Sequence, residues 1–247
     1  MNKTPIIEIR NLIAKYGEKT ILNDISLDIY KGEVTVILGA SGGGKTTFMK
    51  NIIRLIEPFS GSVKIFGKEV IGMQEEYFND VLKRIGMLFQ NGALLNSINV
   101  FENISIPLEQ HTKLPFGIRE KIIKKKLDLV NLSHAIYLLP SELSGGMKKR
   151  AALARAIALD PEILFFDEPS AGLDPITSAS LDELIIELKK QLNITLVIVT
   201  HELASIYRIA DRIIFLDKGD LVFNGTLPEI KNCENEVVKR FFEVGKF

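Results

Sequence analysis

The sequence lacks the features that mark secreted, nucleic-acid-binding or membrane-spanning proteins. It has one cysteine in 247 residues, Cys233, so no disulfide can form within the chain, and no Cys or His stands beside it at metal-ligand spacing. Lysine plus arginine and aspartate plus glutamate both number 31, which leaves no net charge to attract nucleic acid. No run of about 18 apolar residues is present, and residues 1–10 carry no apolar signal segment. We therefore expect a protein of a reducing compartment that binds no nucleic acid and depends on another chain wherever it acts at a membrane.

Short apolar runs alternate with helical patterns through most of the sequence. Residues 34–38 and 163–166 are almost entirely apolar, which is typical of parallel strands covered on both faces. Between residues 91 and 159 the strand signal disappears, and helical patterns cover residues 118–130 and 144–159. The pattern predicts one α/β domain with a mainly parallel sheet and an inserted helical segment.

The inserted segment contains a run of lysines, at positions 121, 124, 125 and 126. Apolar residues between and after them form a stripe on the other side of the predicted helix. The run is therefore expected to be a solvated helix face.

Residues 39–46 fit the phosphate-loop pattern of nucleotide-binding proteins. They follow a predicted strand and precede a helical pattern over residues 46–56, which is the context that the motif needs. Glycines allow the backbone to turn its N–H groups towards phosphates, and the helix N-terminus adds a positive dipole end. Lys45 is expected to contact the β- and γ-phosphates, and the Thr46 hydroxyl to bind Mg²⁺. The residues predicted to bind nucleotide here are Gly39, Ala40, Ser41, Gly42, Gly43, Gly44, Lys45, Thr46 and Thr47.

Polar residues that suit ATP hydrolysis follow two other predicted strands. Asp167 can hold the hydration shell of magnesium, and Glu168 can polarise the attacking water. An acid that only caps a strand end is the alternative, which fits poorly with an acidic pair followed by Pro169. His201 could contact the γ-phosphate, although a histidine at a strand end is more often structural when taken alone. Tyr16, taken alone, is typical of a turn.

Together these segments resemble the ordered motif set of ABC-transporter ATPase subunits over nearly the whole chain. The motifs are Tyr16, the phosphate loop, Gln90, the signature segment Leu143-Ser144-Gly145-Gly146-Met147, Asp167-Glu168, Ala171-Gly172-Leu173-Asp174 and His201. The resemblance implies an ATPase that uses ATP and Mg²⁺, with a RecA-like P-loop NTPase core and an antiparallel N-terminal β-subdomain over residues 1–90 and 160–247. It implies a helical signature subdomain over residues 91–159.

The resemblance also implies a role for each matching residue. Tyr16 would stack on adenine, where a ring face tolerates any base. The residues implied in catalysis are Glu168, His201, Gln90 and Lys45. Those implied in binding magnesium are Thr46, Gln90 and Asp167.

The signature segment predicts a second copy of the chain as partner. Ser144, Gly145 and Gly146 open a helix much as the phosphate loop does, and one nucleotide does not need two such anion sites from one chain. In the family, the signature segment closes over ATP bound to the other subunit. We therefore expect a twofold homodimer that encloses two ATP molecules, with Ser144, Gly145, Gly146 and Asp174 among the nucleotide contacts. At the last position of the signature segment, where glutamine is commonest in the family, this chain has Met147. We expect ATP hydrolysis to be retained despite that change.

Longer segments look like the ATPases of Mla/Mce-type lipid transporters. They are residues 86–94, 99–103, 107–108, 111–112, 114–115, 143–155 and 174–177. This resemblance implies a subunit at the cytoplasmic face of the bacterial inner membrane that drives permease subunits and an Mce-domain protein to move phospholipid. The alternatives are the ATPase of an amino-acid or lipoprotein transporter, and a non-transport ABC ATPase. The apolar residues that follow Gln90 could dock a permease or simply pack the helical subdomain: Ala93, Leu94, Leu95, Ile98, Val100 and Phe101.

Overall fold

A computed structural model describes residues 4–40 and 42–244, so Ser41 of the predicted phosphate loop lies outside the described residues. The strands are β1 (Pro5–Tyr16), β2 (Lys19–Tyr30), β3 (Val34–Leu38), β4 (Ser60–Ile65), β5 (Lys68–Glu69), β6 (Ile85–Leu88), β7 (Ile163–Asp167), β8 (Thr195–Val199), β9 (Arg212–Asp217) and β10 (Asp220–Thr226). The α-helices are α1 (Lys45–Ile52), α2 (Glu75–Leu82), α3 (Val100–His111), α4 (Phe116–Leu129), α5 (Gly145–Ala156), α6 (Pro175–Leu192), α7 (Leu203–Ile209), α8 (Leu227–Ile230) and α9 (Glu236–Val244).

These elements belong to two compact units. The first comprises the described parts of Met1–Leu82 and Thr195–Phe247, and the second comprises Lys83–Ile194. The predicted division into residues 1–90 and 160–247 and residues 91–159 stays a prediction. In the described part of the chain, no helix combines the length and the apolar character that crossing a bilayer requires.

The first unit contains a mainly parallel sheet and an antiparallel sheet. In the first sheet, β3 pairs in parallel with β8 and with β9, and β10 pairs antiparallel with β9. The second sheet has four strands in the order β2-β1-β4-β5, all antiparallel. Every residue of β3 and of β8 is buried, as expected for parallel strands covered on both faces. The predicted α/β fold with an antiparallel N-terminal sheet is confirmed.

The second unit places a parallel strand pair beside a group of helices. Strand β6 pairs in parallel with β7, bringing Leu88 beside Phe166. Helix α5 lies directly against β6, since a Cβ on Gly86 would stand 2.4 Å from the carbonyl oxygen of Ala156. This close approach requires glycine, and it holds α5 next to the segment that follows β6.

The lysine run on α4 is solvated at three positions and buried at one. Lys121, Lys124 and Lys125 are exposed, as predicted. The prediction is wrong for Lys126, which is 4% exposed and places its ammonium 2.5 Å from a carboxylate oxygen of Asp160. Helical spacing puts position 126 on the same face as the buried Ile123, so its apolar stem packs inward while the ammonium reaches a carboxylate.

Candidate functional site

The phosphate loop of the first unit runs from the end of β3 to the start of α1. Gly39, Gly42 and Gly44 have φ values of 147°, 77° and 98°, which side chains with a Cβ rarely adopt. A Cβ on Gly39 would also stand 1.8 Å from the carbonyl oxygen of Leu216 on β9. Glycine is therefore required at position 39 both by its backbone angle and by the neighbouring strand.

Positive charge converges where the phosphate loop meets α1. The Lys45 ammonium donates hydrogen bonds to the carbonyl oxygens of Gly39, at 2.9 Å, and Ala40, at 3.0 Å. Helix α1 has no acidic residue in its first turn, so its N-terminal dipole is not neutralised locally. Thr46 is exposed at the same end of the helix. This arrangement can bind an anion through the lysine, the helix N-terminus and a hydroxyl.

The first unit also brings His201 close to the phosphate loop. Parallel pairing of β3 with β8 sets the ends of these strands side by side, and the N–H of Thr200 donates to the carbonyl oxygen of Ile37 at 3.4 Å. His201 follows directly and is exposed. It lines a cavity of about 390 Å³ together with Ala40 of the phosphate loop. These two predicted site residues are therefore neighbours.

Tyr16 lies at the tip of the β1–β2 hairpin. It pairs with Lys19 across the turn, and 52% of its surface is exposed. The same hairpin contacts the phosphate loop, because a Cβ on Gly44 would stand 2.7 Å from Leu22 Cδ2. Tyr16 is thus an exposed ring on an element that packs against the loop.

In the second unit, Gln90 and the acidic pair share one edge of the β6–β7 strand pair. Since Leu88 and Phe166 are in register, Gln90 and Glu168 each follow two residues later at the carboxyl ends of adjacent parallel strands. Gln90 is exposed, whereas Asp167 and Glu168 are half-buried. Glu168 has a left-handed backbone, with a φ of 48°. Such strained backbone in a residue other than glycine is concentrated at functional sites.

Lys149 contacts the residues at this edge of the strand pair, although no sequence motif predicted it as a site residue. The residue is 6% exposed, and its ammonium donates to the carbonyl oxygens of Gln90, at 2.5 Å, and Glu168, at 3.4 Å. Burial lowers the pKa of the Lys149 ammonium, while the charges of Glu168 and then Asp167 act to raise it. Helical spacing offered a signal, because position 149 shares a face with the buried Leu153.

A second cation of α5 holds the segment that follows Gln90. The Arg155 guanidinium donates to the carbonyl oxygens of Gly92, at 2.8 Å, and Ala93, at 2.7 Å. Gly92 and Ala93 both have left-handed backbones, with φ values of 71° and 51°. Burial lowers the pKa of Arg155. Helix α5 therefore fixes this segment through its main-chain carbonyls.

The signature segment opens α5. Ser144 is exposed at the N-cap, where its hydroxyl oxygen accepts from the N–H of Met147 at 3.3 Å. Because a hydroxyl can donate as well as accept, its hydrogen remains able to reach an anion. The first turn of α5 contains no acidic residue. A Cβ on Gly146 would stand 2.7 Å from Thr177 Cγ2 of α6, so this turn lies close to the start of α6.

Asp174 acts in the structure as the N-cap of α6. Its carboxylate accepts from the N–H groups of Ile176 and Thr177, both at 3.0 Å, and from the Thr177 hydroxyl at 2.5 Å. The Thr177 hydroxyl, followed by these backbone bonds, lowers the pKa of Asp174. The predicted contact of Asp174 with nucleotide stays a prediction.

The predicted magnesium site has few protein donors, as is common for this ion. The described residues contain no group of three or more His, Cys, Asp or Glu side chains that could enclose a metal ion. Magnesium commonly uses one or two carboxylates and completes its shell with waters and substrate phosphates. Asp167, half-buried at the end of β7, suits that mode of binding.

Asn103 of α3 anchors the apolar segment beyond Gln90. The side chain is fully buried and donates to the carbonyl oxygens of Leu95, Ile98 and Asn99 at 3.1, 3.2 and 3.0 Å. It also accepts from the N–H of Leu95 at 2.8 Å. Leu95 itself is 51% exposed, whereas Val100 and Phe101 are buried. Of the apolar residues after Gln90, Leu95 thus combines an exposed side chain with a fixed backbone.

Replacing Asn103 with alanine is expected to lower the free energy of unfolding by about 1–3 kcal/mol, because buried polar groups of the segment lose their partner. Thermal unfolding followed by circular dichroism measures the change. Asn96→Ala, at an exposed position of the same segment, is the control and should melt like the wild type. Equal midpoints for the two variants would contradict the anchoring role.

Comparison with known proteins finds relatives that match nearly the whole chain. Residues 22–171 match the protein family described as ABC transporter. The chain is 39% identical over 238 residues to the intermembrane phospholipid transport system ATP-binding protein MlaF of Haemophilus influenzae, covering 96% of this chain and 90% of that protein. It is 39% identical over 235 residues to the probable ribonucleotide transport ATP-binding protein mkl of Mycobacterium leprae, covering 95% of this chain and 68% of that protein.

A solved structure shows the same fold. It is the dimeric post-hydrolysis state of the ATP-binding cassette MJ0796 bound to ADP and Pi, with a TM-score of 0.81 and 29% sequence identity. The superposition covers 90% of this chain and 98% of that one.

Proposed function

The chain belongs to the ABC transporter family and hydrolyses ATP, and from this premise we propose that it powers phospholipid transport between bacterial membranes. The observation that carries the proposal is the similarity to an intermembrane phospholipid transport ATP-binding protein over 96% of this chain and 90% of that protein. Coverage of this extent includes the segments between and beyond the catalytic motifs. The relative described as a probable ribonucleotide transport protein is also 39% identical, but this chain covers only 68% of the length of that protein.

Residues of the first unit are proposed to bind ATP. The N–H groups of the phosphate loop and the N-terminus of α1 attract the phosphates. In the structure Lys45 donates hydrogen bonds to two loop carbonyls. When ATP binds, it would donate to the β- and γ-phosphates instead. Tyr16 would stack on adenine through its exposed ring, and His201 would donate to the γ-phosphate. Gly39, Gly42, Gly43 and Gly44, with Ala40, Ser41 and Thr47, complete the proposed binding residues.

Residues of the second unit are proposed to activate water. Glu168 would accept a proton from the attacking water as its oxygen approaches phosphorus, which is the role of a general base. Gln90 would orient that water. Asp167 and Gln90 are the residues of this unit proposed to hold Mg²⁺, which when bound neutralises charge that develops on the phosphate oxygens. The proposal for Asp167 is supported by its half-buried position at the end of β7.

A second copy of the chain is proposed to complete each ATP site. Ser144, at an N-cap with a hydroxyl hydrogen to donate, is supported as an anion contact by the absence of acid from the first turn of α5. Gly145, Gly146 and Asp174 would act with it. The related cassette MJ0796 forms a dimer bound to ADP and Pi. Hydrolysis would then separate the two copies, because the nucleotide that joins them is consumed.

Membrane subunits are proposed as the further partners. A permease would receive the motion, an Mce-domain protein would carry lipid, and the subunit would act at the cytoplasmic face of the inner membrane. Leu95 is proposed to contact the permease, which is supported by its 51% exposure and the fixed backbone around it. A docked partner can respond to ATP only if it binds the two states of the ATPase with different free energies.

Leu95→Asp is expected to weaken co-purification with the permease and to abolish lipid-stimulated turnover, because a charge replaces an apolar contact. The basal ATPase rate of the isolated subunit should stay within about threefold of wild type, since this docking contact is separable from the catalytic groups. Leu55→Asp, at a leucine that is 57% exposed in the first unit, is the matched control. Permease recovery equal to that of the control would remove Leu95 from the docking surface.

Cargo can be identified directly in the purified transporter. Organic extraction followed by mass spectrometry should recover phospholipid in at least a stoichiometric amount relative to the complex. Addition of phospholipid in nanodiscs should stimulate the ATPase rate. Stimulation of the ATPase rate by ribonucleotides without any response to phospholipid would assign the chain to the other transport class.

A further inference from the structure

Lys149 joins two parts of the second unit that are proposed to act in hydrolysis. Its buried ammonium donates to the main-chain carbonyl oxygens of Gln90 and Glu168. An ammonium withdrawn from water must regain hydrogen bonds within the protein, and here it regains them from these two carbonyls. One cation thereby restrains Gln90, which lies two residues beyond β6, together with Glu168, which directly follows β7.

The backbone of Glu168 needs such restraint. Its φ of 48° is unfavourable for a residue with a Cβ and persists only where the surroundings hold it. The Glu168 carbonyl accepts from Lys149 and from the N–H of Ala171, the latter at 3.2 Å. These donors fix the direction of the carbonyl, and with it the direction in which the carboxylate leaves the backbone.

The Gln90 backbone is held from the same helix. Lys149 binds the Gln90 carbonyl, and Arg155, further along α5, binds those of Gly92 and Ala93. Two cations of α5 therefore hold the segment at residues 90, 92 and 93, and among the described residues only Lys149 of these two also reaches Glu168. Its position in the helix is four residues after the start at Gly145.

We propose that Lys149 is a positioning residue for ATP hydrolysis, which ties the helix that begins at Ser144 to the backbones of Gln90 and Glu168 and so sets the Glu168 carboxylate against the Gln90 side chain. The inference rests on the roles proposed above for Gln90 and Glu168. Because α5 begins at the signature segment, displacement of that segment by a partner's nucleotide would pass along the helix to Lys149 and then to Glu168. The residue would thus couple dimer closure to the general base.

The test compares three variants of the full-length subunit. Lys149→Met keeps an unbranched stem but removes the donors, and we expect kcat to fall about ten- to a hundredfold through misplacement of catalytic groups. Affinity for a fluorescent ATP analogue should change by less than about twofold, because the phosphate loop belongs to the first unit. Lys149→Arg restores a cationic donor and should recover most of kcat. Lys148→Met, at the exposed neighbouring position, should behave as wild type.

Only a fall in kcat with retained ATP affinity and rescue by arginine supports the inference. An unchanged kcat in Lys149→Met overturns it, as does a parallel loss of kcat, ATP affinity and melting temperature, which would indicate a structural role. Failure of arginine to restore kcat also overturns it. Glu168→Gln assayed alongside separates the two proposals: if it still hydrolyses ATP, the role of Glu168 fails and this inference with it. If Glu168→Gln is inactive while Lys149→Met is fully active, only the inference about Lys149 fails.

Discussion

Glu168→Gln is expected to bind ATP as the wild type does and to hydrolyse it about 10²–10⁴-fold more slowly, the range that a general base contributes. Glutamine keeps the size of the side chain but cannot accept the proton of the attacking water. The magnesium donor Asp167 and the phosphate loop are unaltered by the change. Release of phosphate from ATP, measured at saturating ATP and Mg²⁺, gives the rate, and a fluorescent ATP analogue gives the affinity.

Lys45→Ala is the matched comparison for this result, because it should lose ATP binding itself. With ATP and Mg²⁺, Glu168→Gln should elute from a size-exclusion column as a dimer, since ATP that is not consumed keeps the two copies together. Lys45→Ala should elute as a monomer. Identical elution of the two proteins would argue against a nucleotide-dependent dimer.

Ser144→Arg is expected to abolish ATP-dependent dimer formation while the monomer still binds ATP. The serine hydroxyl is exposed at the start of α5, so a bulky cation there would occupy the place proposed for the partner's γ-phosphate. Loss of the N-cap bond to Met147 should also cost about 0.5–2 kcal/mol of stability. The dimer is measured by size exclusion in the Glu168→Gln background, where it would otherwise accumulate.

Two control variants distinguish a block to dimer formation from a loss of folding stability and from a general effect of added charge. Ser144→Ala removes the same cap without adding bulk, and it should weaken the dimer less than arginine does. Ser141→Arg adds the same cation at an exposed position nearby and should dimerise normally. A collapse of ATP affinity in monomeric Ser144→Arg would place Ser144 in the site of its own chain and refute the arrangement in trans.

The features that sequence predicted well are local. Strand β3 is a continuous apolar run and is buried along its whole length, because parallel strands between two helical layers have no polar face. The phosphate loop could be located since its glycines meet demands within one short turn. At Gly39, however, the strictest demand comes from Leu216, which no local pattern reveals.

Burial of single cations was not predictable from charge patterns. The basic run on α4 suggested a solvated face, yet Lys126 is 4% exposed, and Lys149 on α5 is 6% exposed. Each lysine lies on the apolar face of its helix by spacing, and its partner is distant in sequence: Asp160 for the first and two main-chain carbonyls for the second. Such partners are set by packing, and a helical pattern alone does not supply them.

Helix α3 was missed because Pro107 lies inside it. Proline removes a helical hydrogen bond, so a proline within a pattern argues against a helix. The start signal was nevertheless present, since Asn99 and Glu102 form a reciprocal capping box. Likewise, the proximity of Gln90 to Glu168 depends on the register of β6 with β7, which is established by pairing and not by either strand alone.

The anchoring of Leu95 affects how fast and how tightly a partner could bind there. Its N–H and carbonyl are both bound by the buried Asn103 side chain, so the backbone is already ordered before any encounter. A flexible loop would lose conformational entropy on docking, whereas an ordered one loses little and leaves more of the contact energy as affinity. Association without prior rearrangement also avoids the slow step that lowers the rate constants of induced-fit complexes. An exposed leucine on a rigid support is thus suited to repeated binding and release within each turnover.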